Sequence, residues 1–293
     1  MFNFFMIVFE QSMIYFPLVL GSYISFSLLK VPDLSLEMAY LIGAFFGGYI
    51  LQIMQGCSLL YILFMVIFGS ICGGMLVGFI SSCITYFGNI PHLLSSIITF
   101  GFFQGLFLMI SNPYISLAKF DNVFMVMPYF EQYPELLILL MINFCICCMG
   151  VYVFRTQLGY SFVIFGCNPT FFQHFKISTA YVFIMGVVIA NGLAGLAGFF
   201  FAQTNNLVEV NMGIGKSLFC ITTLILGKTF LYHCKNSIFM PILGVVIYFG
   251  LQQLLLHIGF DLKYFTMMQS LLVLMILLTI YNQNRVQHDQ LGV

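Results

Sequence analysis

Long apolar segments, separated by short polar stretches, make up most of the 293-residue chain. Because roughly 20 consecutive apolar residues cross a bilayer as a helix, segments of this length predict membrane-spanning helices. The pattern predicts about nine spans, within a range of roughly 8 to 10. They lie near 7–29, 38–54, 58–80, 91–110, 135–153, 178–201, 217–229, 237–256 and 264–281. The predicted fold class is therefore an all-α, polytopic integral membrane protein with one transmembrane domain over 1–293 and a short C-terminal tail at about 282–293.

Composition agrees with this pattern and excludes other classes of protein. The chain is 61% hydrophobic and 6% charged, whereas soluble domains carry about a quarter charged residues. The formal net charge is zero, so there is no basic surface for nucleic acid. The nine cysteines lie mostly in apolar runs and are predicted to be buried small hydrophobic residues rather than metal ligands.

Lysine and arginine residues predict the orientation, because they are enriched in cytoplasmic loops. If the loop at 155–177 is cytoplasmic, the basic residues inside are Lys30, Arg155, Lys176, Lys228, Lys235 and Arg285. Those outside are Lys119, Lys216 and Lys263. Nine spans would then place the N-terminus outside and the C-terminal tail inside. The longest polar stretch, Ser111 to Glu135, would be external.

Two polar segments interrupt the apolar pattern in a similar way. They are VPDLSLEMAY, Val31 to Tyr40, and VEVNMGIGKS, Val208 to Ser217. Each precedes an apolar segment, as in transporters whose discontinuous helices meet near the binding site, and the two could be equivalent points of an inverted repeat. The alternative is that both are ordinary interfacial loops.

Lys216 and its surroundings raise two further questions. The run GIGKS ends like a phosphate-binding loop, but Val210 stands where that loop needs a glycine, so we expect no ATPase site in the chain. A lysine at a helix N-terminus opposes the helix dipole. Lys216 therefore either snorkels outward or meets an anionic group of a substrate.

The loop from Arg155 to Ser178 contains Gly166, Asn168 and Pro169, followed by Phe171, Phe172 and Phe175 among polar residues. Proline is well suited to the first turn of a helix, and the three phenylalanines give such a helix an apolar face. This short helix could dock in a groove of a partner protein. It could equally rest on lipid.

Taken in order, three of these stretches resemble one family. PDLSLEMAYLIGAF, LGYSFVIFGCNP and NGLAGLAGFFFAQTNNLVEVNMGIGKS are similar to motifs in the permease subunits of ABC importers. The group belongs to the branched-chain amino acid and ribose permease superfamily, and its members include tryptophan/tyrosine-type permeases. The likeness runs from about Leu20 to Ile280.

The resemblance implies a complete importer in the bacterial cytoplasmic (inner) membrane. Two permease chains, as a homodimer or as a pair with a similar chain, would work with two ATPase subunits and an extracytoplasmic substrate-binding protein. ATP and Mg²⁺ would bind the ATPase subunits, and this chain would need no cofactor or metal and catalyse no reaction. The external loop at 111–135 would help to dock the binding protein.

The resemblance also assigns roles to residues. Gly166, Asn168 and Pro169, with Phe171, Phe172 and Phe175, would form the segment that couples to the ATPase. The substrate pathway would include Asp33, Leu34, Ser35, Asn211, Met212, Gly213, Gly215 and Lys216. Members of the group usually have a small residue where this chain has Lys216.

The function we expect is therefore the permease subunit of an ABC importer for a small solute, such as an amino acid or a related amphipathic molecule. The alternative is a secondary transporter or channel driven by an ion gradient. It would use a buried carboxylate, with Asp33 and Glu209 as candidates.

Overall fold

The computed structural model describes residues 2–54, 56–109, 114–119, 124, 134–174, 178–231, 239–259, 261, 264, 267–271, 274, 275 and 278. Ten α-helices and one two-stranded ribbon form within these residues. The helices are α1 Phe2–Ser22, α2 Ser35–Ile53, α3 Leu59–Gly88, α4 His92–Met109, α5 Pro134–Phe154, α6 Gln157–Cys167, α7 Phe171–His174, α8 Thr179–Asn205, α9 Lys216–Phe230 and α10 Met240–His257. The strands are β1 Tyr114–Ser116 and β2 Leu207–Glu209. A π-helical segment, Tyr23–Leu28, continues α1.

Seven of the described helices are long and apolar enough to cross a membrane. They cover Asn3–Leu28, Ser35–Ile53, Leu59–Gly88, His92–Met109, Glu135–Phe154, Thr179–Asn205 and Met240–His257. This confirms the all-α polytopic class. The predicted span at 217–229 corresponds to α9, whose 15 residues are too few to cross a bilayer core of about 30 Å as a regular helix.

Half of the predicted ninth span, 264–281, lies outside the described residues, so the count of nine stays a prediction. One of its described residues contacts the rest of the chain. Gln269 donates a hydrogen bond to Thr222 of α9 (3.1 Å) and accepts one from Tyr248 of α10 (3.2 Å).

Helices α2, α3 and α8 form the packed centre of the molecule, and glycine permits their close approach. A Cβ atom at Gly198 of α8 would lie 1.8 Å from the carbonyl oxygen of Tyr40 in α2, and one at Gly74 of α3 would lie 2.2 Å from the carbonyl oxygen of Asn191. Small residues at such contacts let helix backbones touch within a membrane. Two of these three helices carry the polar interior described below.

The ends of the helices define two ends of the molecule. Helix α1 runs antiparallel to α8, since Gly21 packs on Ala190 while the Tyr15 ring contacts that of Phe201, nearer the end of α8. Strands β1 and β2 pair antiparallel beyond that end of α8; we call this the ribbon end. The start of α8 and the segment before it mark the opposite end, which we call the coupling end.

The ribbon joins two stretches that the sequence analysis placed outside the membrane. Tyr114 pairs with Glu209 and Ser116 with Leu207, so the predicted external loop lies beside the second polar segment. Of that loop, only residues 114–119, 124, 134 and 135 are described.

The loop from Arg155 to Ser178 is more helical than the sequence analysis expected. Helix α6, with 11 residues, occupies Gln157–Cys167. The short helix expected to open at Pro169 begins two residues later, at Phe171, because Pro169 and Thr170 form a turn.

Candidate functional site: two helix breaks in the interior

The first break separates α1 from α2. After the π-helical segment the chain leaves helical geometry over 29–34, where Lys30 has a positive φ of 55°. Helix α2 begins at Ser35, and the Asp33 carboxylate accepts hydrogen bonds from the Ser35 backbone N–H (2.9 Å) and hydroxyl (2.5 Å). An aspartate in this position satisfies a backbone donor that the start of a helix leaves unpaired.

Asp33 also joins α2 to two other helices. Asn191 of α8 donates a hydrogen bond from Nδ2 to Asp33 Oδ2 (3.0 Å), and His92 Nε2 of α4 lies 3.4 Å from Asp33 Oδ1. Asp33, Ser35 and Asn191 are fully buried and His92 is nearly so. A buried carboxylate is tolerated only with such partners, so these residues act as one polar cluster.

The polar cluster lies deep along the helices. Asn191 stands 12 residues after the first residue of α8 and 14 before the last, or about 18 and 21 Å at roughly 1.5 Å per residue. The chain therefore turns at 29–34 and starts α2 near the middle of α8. This favours a discontinuous helix over an interfacial loop.

The second break lies between β2 and α9 and meets the first. Gly215 has a φ of 81° and α9 begins at Lys216. The Ser217 backbone N–H, in the first turn of α9, donates to Glu37 Oε1 of α2 (3.0 Å). A Cβ at Gly213 would lie 2.3 Å from the Glu37 carbonyl oxygen. The two polar segments, 31–40 and 208–217, thus meet in three dimensions.

Lys216 is half-buried within an aromatic enclosure. Its ammonium donates a hydrogen bond to the Tyr15 hydroxyl (3.0 Å) and lies 4.7 Å from the Tyr15 ring centroid, 5.2 Å from that of Phe201 and 5.5 Å from that of Tyr40. Among the described residues no carboxylate lies within 4.0 Å of it. Ring faces attract a cation, so the contacts favour an interior ammonium over one that snorkels outward.

The remaining pathway residues of the sequence analysis are spread over the second break and the start of α2. Met212 and Leu34 are half-buried, and Gly213 is buried. Asn211 and Gly215 are exposed, and Asn211 accepts a long hydrogen bond from Gln104 of α4 (3.4 Å).

Sequence reasoning missed several partners at the two breaks. They are Tyr15, His92, Asn191 and Phe201, and all except Phe201 lie far along the chain from the residue that they contact. The sequence does mark Asn191, because it is a carboxamide inside an otherwise apolar helix. It does not mark the aromatic residues, because the chain contains 36 phenylalanines.

At the coupling end, the segment predicted to contact an ATPase touches the first break. A Cβ at Gly166 of α6 would lie 2.0 Å from the carbonyl oxygen of Leu28, at the end of the π-helical segment. Lys30 also reaches Cys167, with 3.7 Å from Nζ to Sγ. Displacement of α6 would therefore press directly on the backbone that leads to Asp33.

Beyond α6, Asn168 shapes the turn into α7. Its side-chain oxygen accepts hydrogen bonds from the Thr170 backbone N–H (3.2 Å) and hydroxyl (2.5 Å). Phe172 is buried and Phe171 exposed. Phe175, the last of the predicted coupling residues, lies outside the described residues.

Comparison with known proteins decides the family. The sequence model described as "Branched-chain amino acid transport system / permease component" matches residues 4–280. The chain belongs to this permease family. It is the membrane-spanning permease subunit of an ABC importer and works with ATPase and substrate-binding subunits.

Two relatives extend the comparison. An uncharacterized protein of Rickettsia prowazekii is 29% identical over 258 residues, which cover 86% of this permease and 89% of the relative. A tyrosine transport system permease protein of Clostridioides difficile is 30% identical over 223 residues, 76% of this permease and 72% of the relative. No solved structure matches the permease significantly.

Proposed function

We propose that this permease moves a small amino acid or a related amphipathic solute inward across the bacterial cytoplasmic membrane. Two copies of the chain form the pore, and partner ATPase subunits that bind ATP and Mg²⁺ drive it. The chain itself has no catalytic role. The similarity to a tyrosine transport system permease supports an amino acid as the solute.

The observation that carries the proposal is the meeting of the two helix breaks. The starts of α2 and α9 approach each other in the interior through Glu37 and Ser217, with the Lys216 ammonium beside them. Transporters with discontinuous helices bind their substrates where such interrupted helices meet, and the Lys216 ammonium supplies a positive charge there. The two segments, 31–40 and 208–217, therefore form the solute pathway.

The coupling segment, 166–176, transmits the motion of the ATPase. The close contact of Gly166 with Leu28 joins this segment to the first break, and Phe171 is exposed for contact with a partner. Closure of the ATPase subunits would push α6 against the 29–34 segment and rock the helices around Asp33 between inward and outward access.

The ribbon end faces the substrate-binding protein in this arrangement. It lies opposite the coupling end, and its strand β1 belongs to the loop at 111–135 that the orientation argument places outside. The binding protein would dock on this loop and deliver the solute to the breaks.

Affinity purification of the tagged full-length permease from native membranes in mild detergent tests the assembly. We expect mass spectrometry to find an ATPase subunit in about equal amount, as an importer of two permeases and two ATPases requires. Replacing residues 166–176 by a flexible linker should abolish recovery of the ATPase. A Gly-Ser insertion after exposed Gly56, in the turn between α2 and α3 at the ribbon end, serves as the control and should preserve it.

An intact permease that is recovered alone from membranes containing the ATPase, and that transports solute without ATP, would overturn the proposal. The gradient-driven alternative would then apply, with Asp33 as its candidate carboxylate. Family membership favours the ATP-driven mechanism.

A further inference from the structure

A cavity of about 250 Å³ lies between α1 and α10 and differs in chemistry from two other cavities of the molecule. Its lining is Ile7, Val8, Gln11, Phe249, Gln252, Gln253 and Leu256. The other two, of about 280 and 440 Å³, are lined mostly by apolar side chains, as surfaces facing lipid would be. We call the first the glutamine cavity.

Three carboxamides in one cavity are unusual within membrane-spanning helices. Gln11 belongs to α1, and Gln252 and Gln253 belong to α10; all three are half-buried. No hydrogen bond joins any of their carboxamides to another described residue. Each carboxamide offers two donors and an acceptor, so the three together can hydrogen-bond several polar groups of one solute.

The glutamine cavity lies at the end from which an importer takes its solute. It lies near the start of α1 and the end of α10, and α1 runs antiparallel to α8, so this is the ribbon end. The coupling segment is at the opposite end. A volume of about 250 Å³ is slightly below the roughly 300–1,000 Å³ of small-molecule sites, which suits a compact solute.

Aromatic contacts connect the cavity to Lys216. The Phe249 ring, which lines the cavity, lies 5.3 Å from the Tyr15 ring between centroids. Tyr15 in turn accepts the hydrogen bond from the Lys216 ammonium. Among the described residues no carboxylate oxygen lies within 4.0 Å of the ammonium, so a solute moving inward from the glutamine cavity meets a positive charge behind two aromatic rings.

We propose that the glutamine cavity is the outer solute site of the permease. There Gln11, Gln252 and Gln253 hydrogen-bond the polar groups of a small amino acid, and Phe249 and Tyr15 separate it from Lys216, which then receives its carboxylate. This inference rests on the proposed function and adds to it a binding site and the group that selects the carboxylate.

Uptake by proteoliposomes that contain the full-length permease, its ATPase and its binding protein tests the cavity. A mixture of isotope-labelled L-amino acids is the first probe. The uptake kinetics are then measured with each amino acid that the wild type accumulates. The variants are Gln252→Leu and Gln253→Leu, singly and together. Gln52→Leu is the matched control, because Gln52 is half-buried on α2 and does not line the cavity.

We expect the double variant to raise KM by roughly tenfold, because each lost hydrogen bond weakens binding by roughly two- to tenfold. kcat should change far less, and Gln52→Leu should change neither. Recovery of the ATPase in a pull-down checks that each variant is folded. If the wild type transports solute and the folded double variant has an unchanged KM, the cavity proposal is wrong while the proposed function stands.

The role of Lys216 is tested with an amine that lacks the carboxylate. The amine that keeps the side chain of the transported amino acid, such as tyramine for L-tyrosine, should compete poorly with that amino acid, and Lys216→Met should reduce this discrimination by at least tenfold. Equal discrimination in wild type and Lys216→Met overturns the role of Lys216. If the wild-type assembly accumulates no amino acid with ATP, the proposed function fails and the cavity proposal fails with it.

Discussion

The two helix breaks meet in space but differ in how their charged groups are satisfied. At the first, Asp33 accepts hydrogen bonds from Ser35 and Asn191 and lies beside His92, and all four side chains are buried. At the second, the half-buried Lys216 ammonium has one hydroxyl partner and three ring faces.

This difference assigns different tasks to the two breaks. A fully partnered buried carboxylate fixes the relative positions of the helices that it joins, and removing it leaves several donors unpaired. A cation held by ring faces and one hydroxyl can exchange these contacts for an anion that arrives. We therefore expect the first break to act as the structural joint between α2, α4 and α8, and the proposed function assigns solute recognition to the second.

The largest effect is expected from Asp33→Ala, which removes the common acceptor of the first break. Loss of a buried, hydrogen-bonded carboxylate should lower the free energy of unfolding by about 3–5 kcal/mol. Thermal unfolding in detergent, followed by size-exclusion chromatography, measures the change. Glu209→Ala is the control, since Glu209 is exposed on β2. Equal stability of the two variants would contradict the structural role of Asp33.

Gly166→Val should give the next largest effect and tests whether the first break is joined to the coupling segment. A Cβ cannot fit 2.0 Å from the Leu28 carbonyl oxygen, so α6 must move away, at a cost of roughly 1–3 kcal/mol. We expect ATP-driven uptake to fall at least tenfold while the ATPase still binds. The control is Gly101→Val on α4, where the added side chain meets open space; this variant should transport normally. Equal losses of uptake in the two variants would show that the contact between Gly166 and Leu28 is unimportant.

Lys216→Met should have a smaller effect on stability than Asp33→Ala. It removes one hydrogen bond, worth about 1 kcal/mol, and the attraction of a half-buried ammonium to its surrounding rings, worth about 1 kcal/mol in total, and it leaves no buried charge behind. We expect a shift in unfolding temperature of a few degrees at most, together with a clear loss of solute discrimination. A loss of folding as severe as that of Asp33→Ala would remove the distinction between the two breaks.

The smallest effect is expected from Glu37→Gln. The carboxamide oxygen can still accept the hydrogen bond from the Ser217 N–H, although a bond to a neutral acceptor is weaker by about 1 kcal/mol. Thermal unfolding should change little. Glu37→Leu, which has no acceptor, should be clearly less stable than Glu37→Gln; if the two are equal, the Glu37–Ser217 contact does not hold the breaks together.

The fold class and the places of the two breaks follow from the sequence, because both depend on local features. Apolar length predicts spans, and polar runs such as 31–40 and 208–217 predict interruptions. Contacts between residues that are distant in the chain cannot be predicted from such local features. Nothing near Lys216 in the chain indicates Tyr15, 201 residues away, and nothing near Asp33 indicates Asn191.

Segment lengths were harder to predict where helices are short or interrupted. Helix α6 lies inside a stretch that reads as a loop because Gly159, Gly166 and polar residues break its apolar pattern. A glycine stands at this helical position because α6 packs directly on the Leu28 backbone, where a Cβ would not fit. That contact is visible only in the folded chain.

The most direct test of the central claim compares energy sources in one preparation. Proteoliposomes containing the permease, its ATPase and its binding protein are supplied with the labelled amino-acid mixture and either ATP or an imposed proton or sodium gradient. We predict accumulation with ATP and none with either gradient alone. Accumulation driven by a gradient without ATP would contradict the account and make Asp33 the carboxylate of an ion-coupled transporter.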